Sequence, residues 1–538
     1  MRYLRVAAAV VCSLTSTSAL APAQTFRSPD PVIHRIWSLG MDSSRVAGLA
    51  QVLDDSIGMR LSGTSGFQSA VDWLTGVYTS WGIPVRQERY AATRGWRLGP
   101  VSMSLTAPHV QTLEVHLLAF SPGTGGKPLE AEAVVPPPSG DEAATLRWLG
   151  SVKDKFVLIS PPELMCRAQQ ELERYARPAT VQRLAEQRYA LQREVWARLR
   201  PLGARDPLEP RSARDTLARN RDSLARTLQS AGAAGLISST WSNGWGVNKI
   251  FAARADRIPS VDLSCEDYGL VWRLASNRQG PRLRLLADAE ARPDQPMFNV
   301  VAELRGRELP GEYVLLSAHL DSWHGATGAT DNGTGTVTML EAMRILARVY
   351  PNPRRTILAG HWGGEEQGIQ GSSAFAEDHP ETMQGMQVVF NQDNGTWRAE
   401  LIEGQGFLGA GANLAKWLSV VPTEISSNLR LDVPGAQENS GSDHTSFLCR
   451  GVPAFRLQSN YTEYRQYTWH TNRDTYDKLV LDDLKNNATL AAMLAYAASE
   501  DPTRVPRDKA ILPPDTLGRA RNWPTCRPAQ RSPVRAPD

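Results

Sequence analysis

Between Pro296 and about Ser499 the chain alternates short apolar runs of strand character with longer runs of helical period, and no other feature of the sequence constrains the fold as much. MFNVVAELRG, EYVLLSAHLD, RRTILAGHWG and MQVVFNQD read as buried strands, while TVTMLEAMRILARVY and LKNNATLAAMLAYAASE read as helices. Strands this apolar need cover on both faces. The expectation is an α/β fold in three layers, a mixed central sheet between two sets of helices.

The flanking stretches have other textures, and 538 residues suffice for two or three domains. Residues 24–115 open in α/β style, with SAVDWLTGVYTSWGIPVRQERY reading as helix, Gly-Ile-Pro turn and strand. Residues 116–290 form a separate inserted domain, in which VKDKFVLIS and AGAAGLISST are buried strands and IPSVDLSCEDYGLVWRLA runs from strand into helix. Within it, 164–230 is rich in Arg, Gln, Glu and Ala. Leu184, Leu191, Val195 and Leu199 recur there at spacings of seven and four, the mark of amphipathic helices, with Pro201 and Pro207 dividing them. The last domain covers 291–502, and 503–538 is a Pro- and Arg-rich tail.

Residues 1–23 combine a basic start, an apolar run diluted by Ser and Thr, and Ala21-Pro22-Ala23 before Gln24, the plan of a secretory signal peptide. The mature protein is therefore expected to be secreted or periplasmic, with no membrane anchor after signal removal. Cleavage takes away Cys12 and leaves Cys166, Cys265, Cys449 and Cys526, which allow three pairings. Locality favours Cys166 with Cys265 and Cys449 with Cys526, each pair stapling one module. Fifty-nine Lys and Arg against 56 Asp and Glu leave a net charge of +3, too little to attract a phosphate backbone, so nucleic acid is excluded as a partner.

The chemistry lies at strand ends, where open α/β sheets form their ligand crevices. His319 and Asp321 follow one apolar strand, Glu365 and Glu366 another, and Asp393 a third. Asp331 stands in a Gly-rich turn opening a helix, and His470 in a loop before the last helix. Imidazoles mixed with carboxylates suit zinc better than the all-oxygen shells of Mg²⁺ or Ca²⁺. Two adjacent glutamates do not easily ligate one ion from a single turn, which implies that one binds metal and the other moves a proton.

With HxD, D-N-G, G-E-E, Q-D-N-G and W-H-T-x-x-D-T, this region resembles metallopeptidase family 28, the di-zinc exopeptidases that include bacterial leucyl aminopeptidases and the glutamate carboxypeptidase group. The resemblance extends more loosely over Val32 to about Leu105, and the insert resembles a protease-associated domain carrying a helical elaboration. It implies a three-layer zinc-exopeptidase domain acting on peptides with two Zn²⁺ per chain, other divalent transition metals being possible. His319, Asp331 and Asp393 would hold one ion and Asp331, Glu366 and His470 the other. Glu365 would be the general base, activating water between the metals, and Asp321 would accept the second ring N–H of His319. Ser442, Asp443 and His444 would line the substrate pocket. Trp469 stands where the glutamate carboxypeptidase group has Tyr, so Tyr467 or Tyr464 is left to supply a hydroxyl. His324, His361 and His379 have no motif role and are expected to be structural. An aminopeptidase, which needs acidic groups for the substrate ammonium, is favoured over a carboxypeptidase, which needs a cation cluster. A non-catalytic receptor-like relative would be expected to have lost ligands, and all five are present; the Glu-Glu pair and the insert count against a glutaminyl cyclase.

Overall fold

The computed structural model describes residues 28–137, 141–202, 223–438, 440–511 and 522–532; the expected signal peptide and Pro207 lie outside the described residues. Fourteen strands join in one mixed sheet. At its centre the strand Leu309–His319 runs parallel to Arg355–Trp362 on one side and to Met386–Asn391 on the other, and Ala454–Gln458 continues the parallel run.

Successive side chains of these strands point to opposite faces, as the two-residue period requires. Val314, Leu316 and Ala318 pack against the helices Thr334–Val349 and Leu481–Glu500, whereas Leu315 packs with Phe375, Met383 and Phe447 of three shorter helices on the other face. Both faces are covered by helices. This is the three-layer α/β architecture that the apolar strands call for.

Two strands of 23 residues, Val85–Ala107 and Arg282–Leu304, pair antiparallel along their length. The free edge of the second pairs near its end with Arg355–Trp362 and near its start with Leu129–Val134. One ribbon thus carries the sheet from the first core into a second. There Trp96, Met103, Phe156, Leu236 and Tyr268 are buried, and the helix Pro178–Leu199 adds Val195 and Leu199, with Leu191 partly buried beside them. That helix stops before a short 3-10 turn that contains Pro201, consistent with the missing N–H of proline.

Two disulfides close long loops, Cys166–Cys265 in the second core and Cys449–Cys526 at the carboxyl end. The latter holds the final segment against the first core. The Trp523 indole donates to the Leu448 carbonyl at 2.8 Å, and Arg531 pairs with Asp378.

Candidate metal centre

His319 is the last residue of the central strand and is buried. Its Nδ1–H donates to the backbone carbonyl of Asp321 at 2.9 Å, which leaves Nε2 facing Asp331 Oδ1 at 3.5 Å and Asp393 Oδ1 at 3.4 Å. This corrects the expected role of the Asp321 carboxylate, which lies 3.7 Å from Nδ1. The main-chain oxygen of Asp321 is the nearer acceptor for the ring. The carboxylate instead accepts from Ser62 Oγ at 3.2 Å and from the Glu365 backbone N–H at 3.1 Å, so Asp321 fixes the turn that bears Glu365.

On the other side of Asp331, its Oδ2 lies 3.2 Å from His470 Nε2, and Glu366 Oε2 lies 2.8 Å from the same nitrogen. One carboxylate therefore presents one oxygen to each imidazole. His319, Asp331 and Asp393 form one group, and Asp331, Glu366 and His470 a second, with all ligand atoms of each group within 4.8 Å of one another. His470 has φ +59°, a left-handed backbone that costs a non-glycine residue roughly 1–2 kcal/mol. Its carbonyl is held by the Ile250 N–H at 2.9 Å, and its ring is stacked on Trp469 at 3.6 Å. Burial brings the His470 imidazole down to about 4, so the ring is neutral at pH 7 and able to ligate.

Asp331 Oδ2 and Glu366 Oε1 are buried and lack hydrogen-bond partners among the described residues. Such oxygens are costly unless a cation meets them. The donor set, nitrogen plus carboxylate oxygen in two tight groups, fits zinc. Glu365 belongs to neither group. Burial, reinforced by the neighbouring carboxylates of Asp393, Asp443 and Glu366 against the pull of His319, pushes its carboxyl well above the usual carboxylate range.

A cavity of about 270 Å³ opens over these residues, lined by Asp331, Glu365, Glu366, Asp393 and His470 and by the aromatic and cationic side chains of Tyr461, Tyr464, Arg465 and Trp469. Tyr461, Tyr464 and Arg465 share one face of the helix Tyr461–Tyr467 through their i, i+3, i+4 spacing. Tyr467 falls off that face and packs toward Gly244, which corrects its expected place on the wall. Ser442, Asp443 and His444 are also not on the wall: all three are fully buried, and Gly441 is the lining residue of that stretch. Ser442 Oγ accepts from Asn391 Nδ2, and His444 Nε2 lies 2.7 Å from Glu438. The three histidines without a motif role are engaged elsewhere, His361 with Tyr78, His324 with the Leu117 carbonyl and His379 with Glu88.

Sequence reasoning gave no role to Arg60, Ser62 or Asp474, all buried next to the ligand loops. Arg60 and Ser62 carry no local signal, since their partners lie some 260 residues away. Asp474 is the Asp of W-H-T-x-x-D-T, and its position in that motif was the available clue.

Fold and site together define an α/β protein with a buried, paired histidine–carboxylate centre at its strand ends. Residues 299–495 match the family described as Peptidase family M28. Rat carboxypeptidase Q is 29% identical over 252 residues, 47% of this chain and 52% of that protein, so the chain spans about half the length of the curated relatives it matches first. Among solved structures, a Peptidase M28 precursor from Shewanella amazonensis SB2B superimposes with a TM-score of 0.62 at 22% identity, over 88% of this chain and 97% of that one. A zinc aminopeptidase from Bacillus subtilis superimposes with a TM-score of 0.53 at 19% identity, over 86% and 96%. At these identities the likeness is one of fold.

Proposed function

We propose that the protein is an exported zinc exopeptidase that hydrolyses the terminal peptide bond of short peptides, with two zinc ions held by the groups that share Asp331. The observation that carries this reading is the Asp331 carboxylate, with one oxygen toward His319 and the other toward His470, beside a buried glutamate that belongs to neither group. When bound, the zinc pair supplies a Lewis acid for the scissile carbonyl and lowers the pKa of water. Glu365 takes the proton of the attacking water and returns it to the leaving amine, a task suited to a carboxyl that burial holds well above the usual carboxylate range. Asp321 holds that glutamate's backbone, and His319 keeps the tautomer that offers Nε2.

The cavity wall supports a choice between the two termini. Every acidic residue on the described wall is Glu365 or one of the candidate ligands, so no acid remains to receive a substrate ammonium. Arg465 lies on the wall 3.4 Å from the Trp469 ring, and Lys249 approaches the same ring at 4.3 Å. We therefore read the enzyme as a carboxypeptidase, with these cations receiving the substrate carboxylate. The similarity to carboxypeptidase Q supports this reading. The aminopeptidase favoured by the sequence would need an acidic receptor beyond the residues of the described wall. We further read 116–290 as a protease-associated-like insert that delivers Lys249, and the two disulfides as fitted to an oxidising compartment. No helix among the described residues is long and apolar enough to cross a membrane.

The test is to incubate zinc-loaded protein with one mixed-sequence peptide in free, N-acetylated and C-amidated forms and to follow the ends by mass spectrometry. Loss from the carboxyl end that amidation blocks is expected. Loss from the amino end that acetylation blocks would replace this reading with the aminopeptidase.

A further inference from the structure

Two buried residues distant in sequence converge on the loop that carries Asp331. Arg60, wholly buried, spends its guanidinium on main-chain carbonyls: Nε donates to Leu320 at 2.8 Å, Nη1 to Thr327 at 2.7 Å and Nη2 to Gly328 at 2.8 Å. Leu320 follows the ligand His319, and Thr327 and Gly328 lead into the turn that holds Asp331. One rigid fork thus fixes the span between two ligands of the first group. Its counter-charge is the buried Asp54, at 3.6 Å.

Asp474 grips the same turn from the opposite direction in sequence. Its carboxylate accepts the backbone N–H of Thr330 at 2.8 Å and that of Asp331 at 3.0 Å, and its own carbonyl accepts the N–H of Thr327 and of Gly328, each at 3.1 Å. Asp474 lies four residues after His470, so this short loop bears a ligand of the second group and grips the ligand that both groups share.

We propose that Arg60 and Asp474 are positioning residues that together set the Asp331 carboxylate between its two imidazoles, so that weakening either one lowers metal affinity at both groups at once. Neither touches a ligand atom. Their effect runs through the main chain on either side of Asp331, unlike loss of Asp393 or Glu366, each of which belongs to a single group.

A charge effect and a positioning effect have opposite signs for Arg60. Removing a buried cation beside a cation site raises metal affinity if only charge matters, and lowers it if the fork positions the ligand. The experiment is equilibrium zinc binding to metal-free protein, by competition with a chromophoric chelator, for wild type, Arg60→Lys, Arg60→Gln and Asp474→Asn, with the melting temperature of each metal-free variant measured alongside. Arg60→Gln and Asp474→Asn are each expected to weaken both zinc equivalents by 10–100-fold, the range found for residues that orient ligands. Arg60→Lys keeps the charge without the fork and is expected to fall in the same direction. If Arg60→Gln fails to fold, Arg60→Lys and Asp474→Asn carry the test. Tighter zinc binding in an Arg60 variant, weakening confined to one equivalent, or a lower melting temperature with unchanged zinc affinity would each overturn the proposal. These readouts involve no substrate, so they stand apart from the exopeptidase reading.

Discussion

Replacing Glu365 with Gln tests the proposed proton carrier apart from the candidate metal ligands. The residue belongs to neither ligand group, and Gln keeps its length and leaves the backbone N–H that donates to Asp321. General acid–base catalysis contributes about 10²–10⁴ in rate, or about 3 to 5 kcal/mol at 1.36 kcal/mol per decade. The upper end applies here, because every other carboxylate on the described cavity wall is a candidate ligand and none is free to act as a base. The loss is expected in kcat, with zinc content unchanged. Removing an acid from a crowd of buried carboxylates is also expected to leave the metal-free protein at least as stable, since burial and its acidic neighbours oppose the charged form of Glu365. The assay is steady-state hydrolysis of a free-carboxylate peptide, with zinc content by mass spectrometry and a thermal melt of the metal-free form. Turnover within tenfold of wild type at full zinc occupancy would refute the assignment of Glu365 as the base.

Arg465→Ala is expected to raise KM for a peptide with a free α-carboxylate by at least tenfold and to change little for its amide; equal effects on both substrates would remove Arg465 from carboxylate recognition. Replacing Cys166 and Cys265 with Ser frees a loop with a sequence separation of 99, and chain-entropy reasoning for a loop of that size gives a loss of about 5 kcal/mol, measurable by urea denaturation. Asp501 is opposed by burial, yet hydrogen bonds from Lys416, Thr503 and Trp417 outweigh it and hold its carboxyl at about 2. Because this folded value lies below the unfolded one near 3.9, its contribution is complete above about pH 4 and is lost as pH falls toward 2. Asp501→Asn should therefore lower the melting temperature at pH 7, with the gap to wild type closing on acidification; a gap independent of pH would contradict this.

Much of the fold was legible because burial writes itself into period. The apolar strand runs predicted a sheet covered on both faces, and the side chains of 314–318 alternate between two helical layers. The seven-and-four spacing that ends in Val195 and Leu199 marked a face that packs into the second core. What periodicity could not show was the ribbon of two 23-residue strands that joins the cores, since pairing between Val85 and Ala302 leaves no local trace. At the site, the residues singled out by motif do converge, because the motifs follow strand ends and strand ends share one edge of the sheet. The misplaced residues erred by orientation. Tyr467 is a fraction of a helical turn from Tyr464, and for Asp321 the main-chain oxygen, not the side chain, meets the His319 ring. Arg60 was invisible for another reason: an arginine whose hydrogen bonds all go to main-chain carbonyls has no partner residue type to look for.

The shared carboxylate of Asp331 is the centre of the functional reading, and zinc titration of the metal-free protein tests it most directly. Two equivalents are expected to bind per wild-type chain, with peptidase activity appearing as they fill, and Asp331→Ala is expected to lose high-affinity binding of both. A single equivalent in the wild type, or an Asp331→Ala variant that still binds two tightly, would contradict a centre built around one bridging residue.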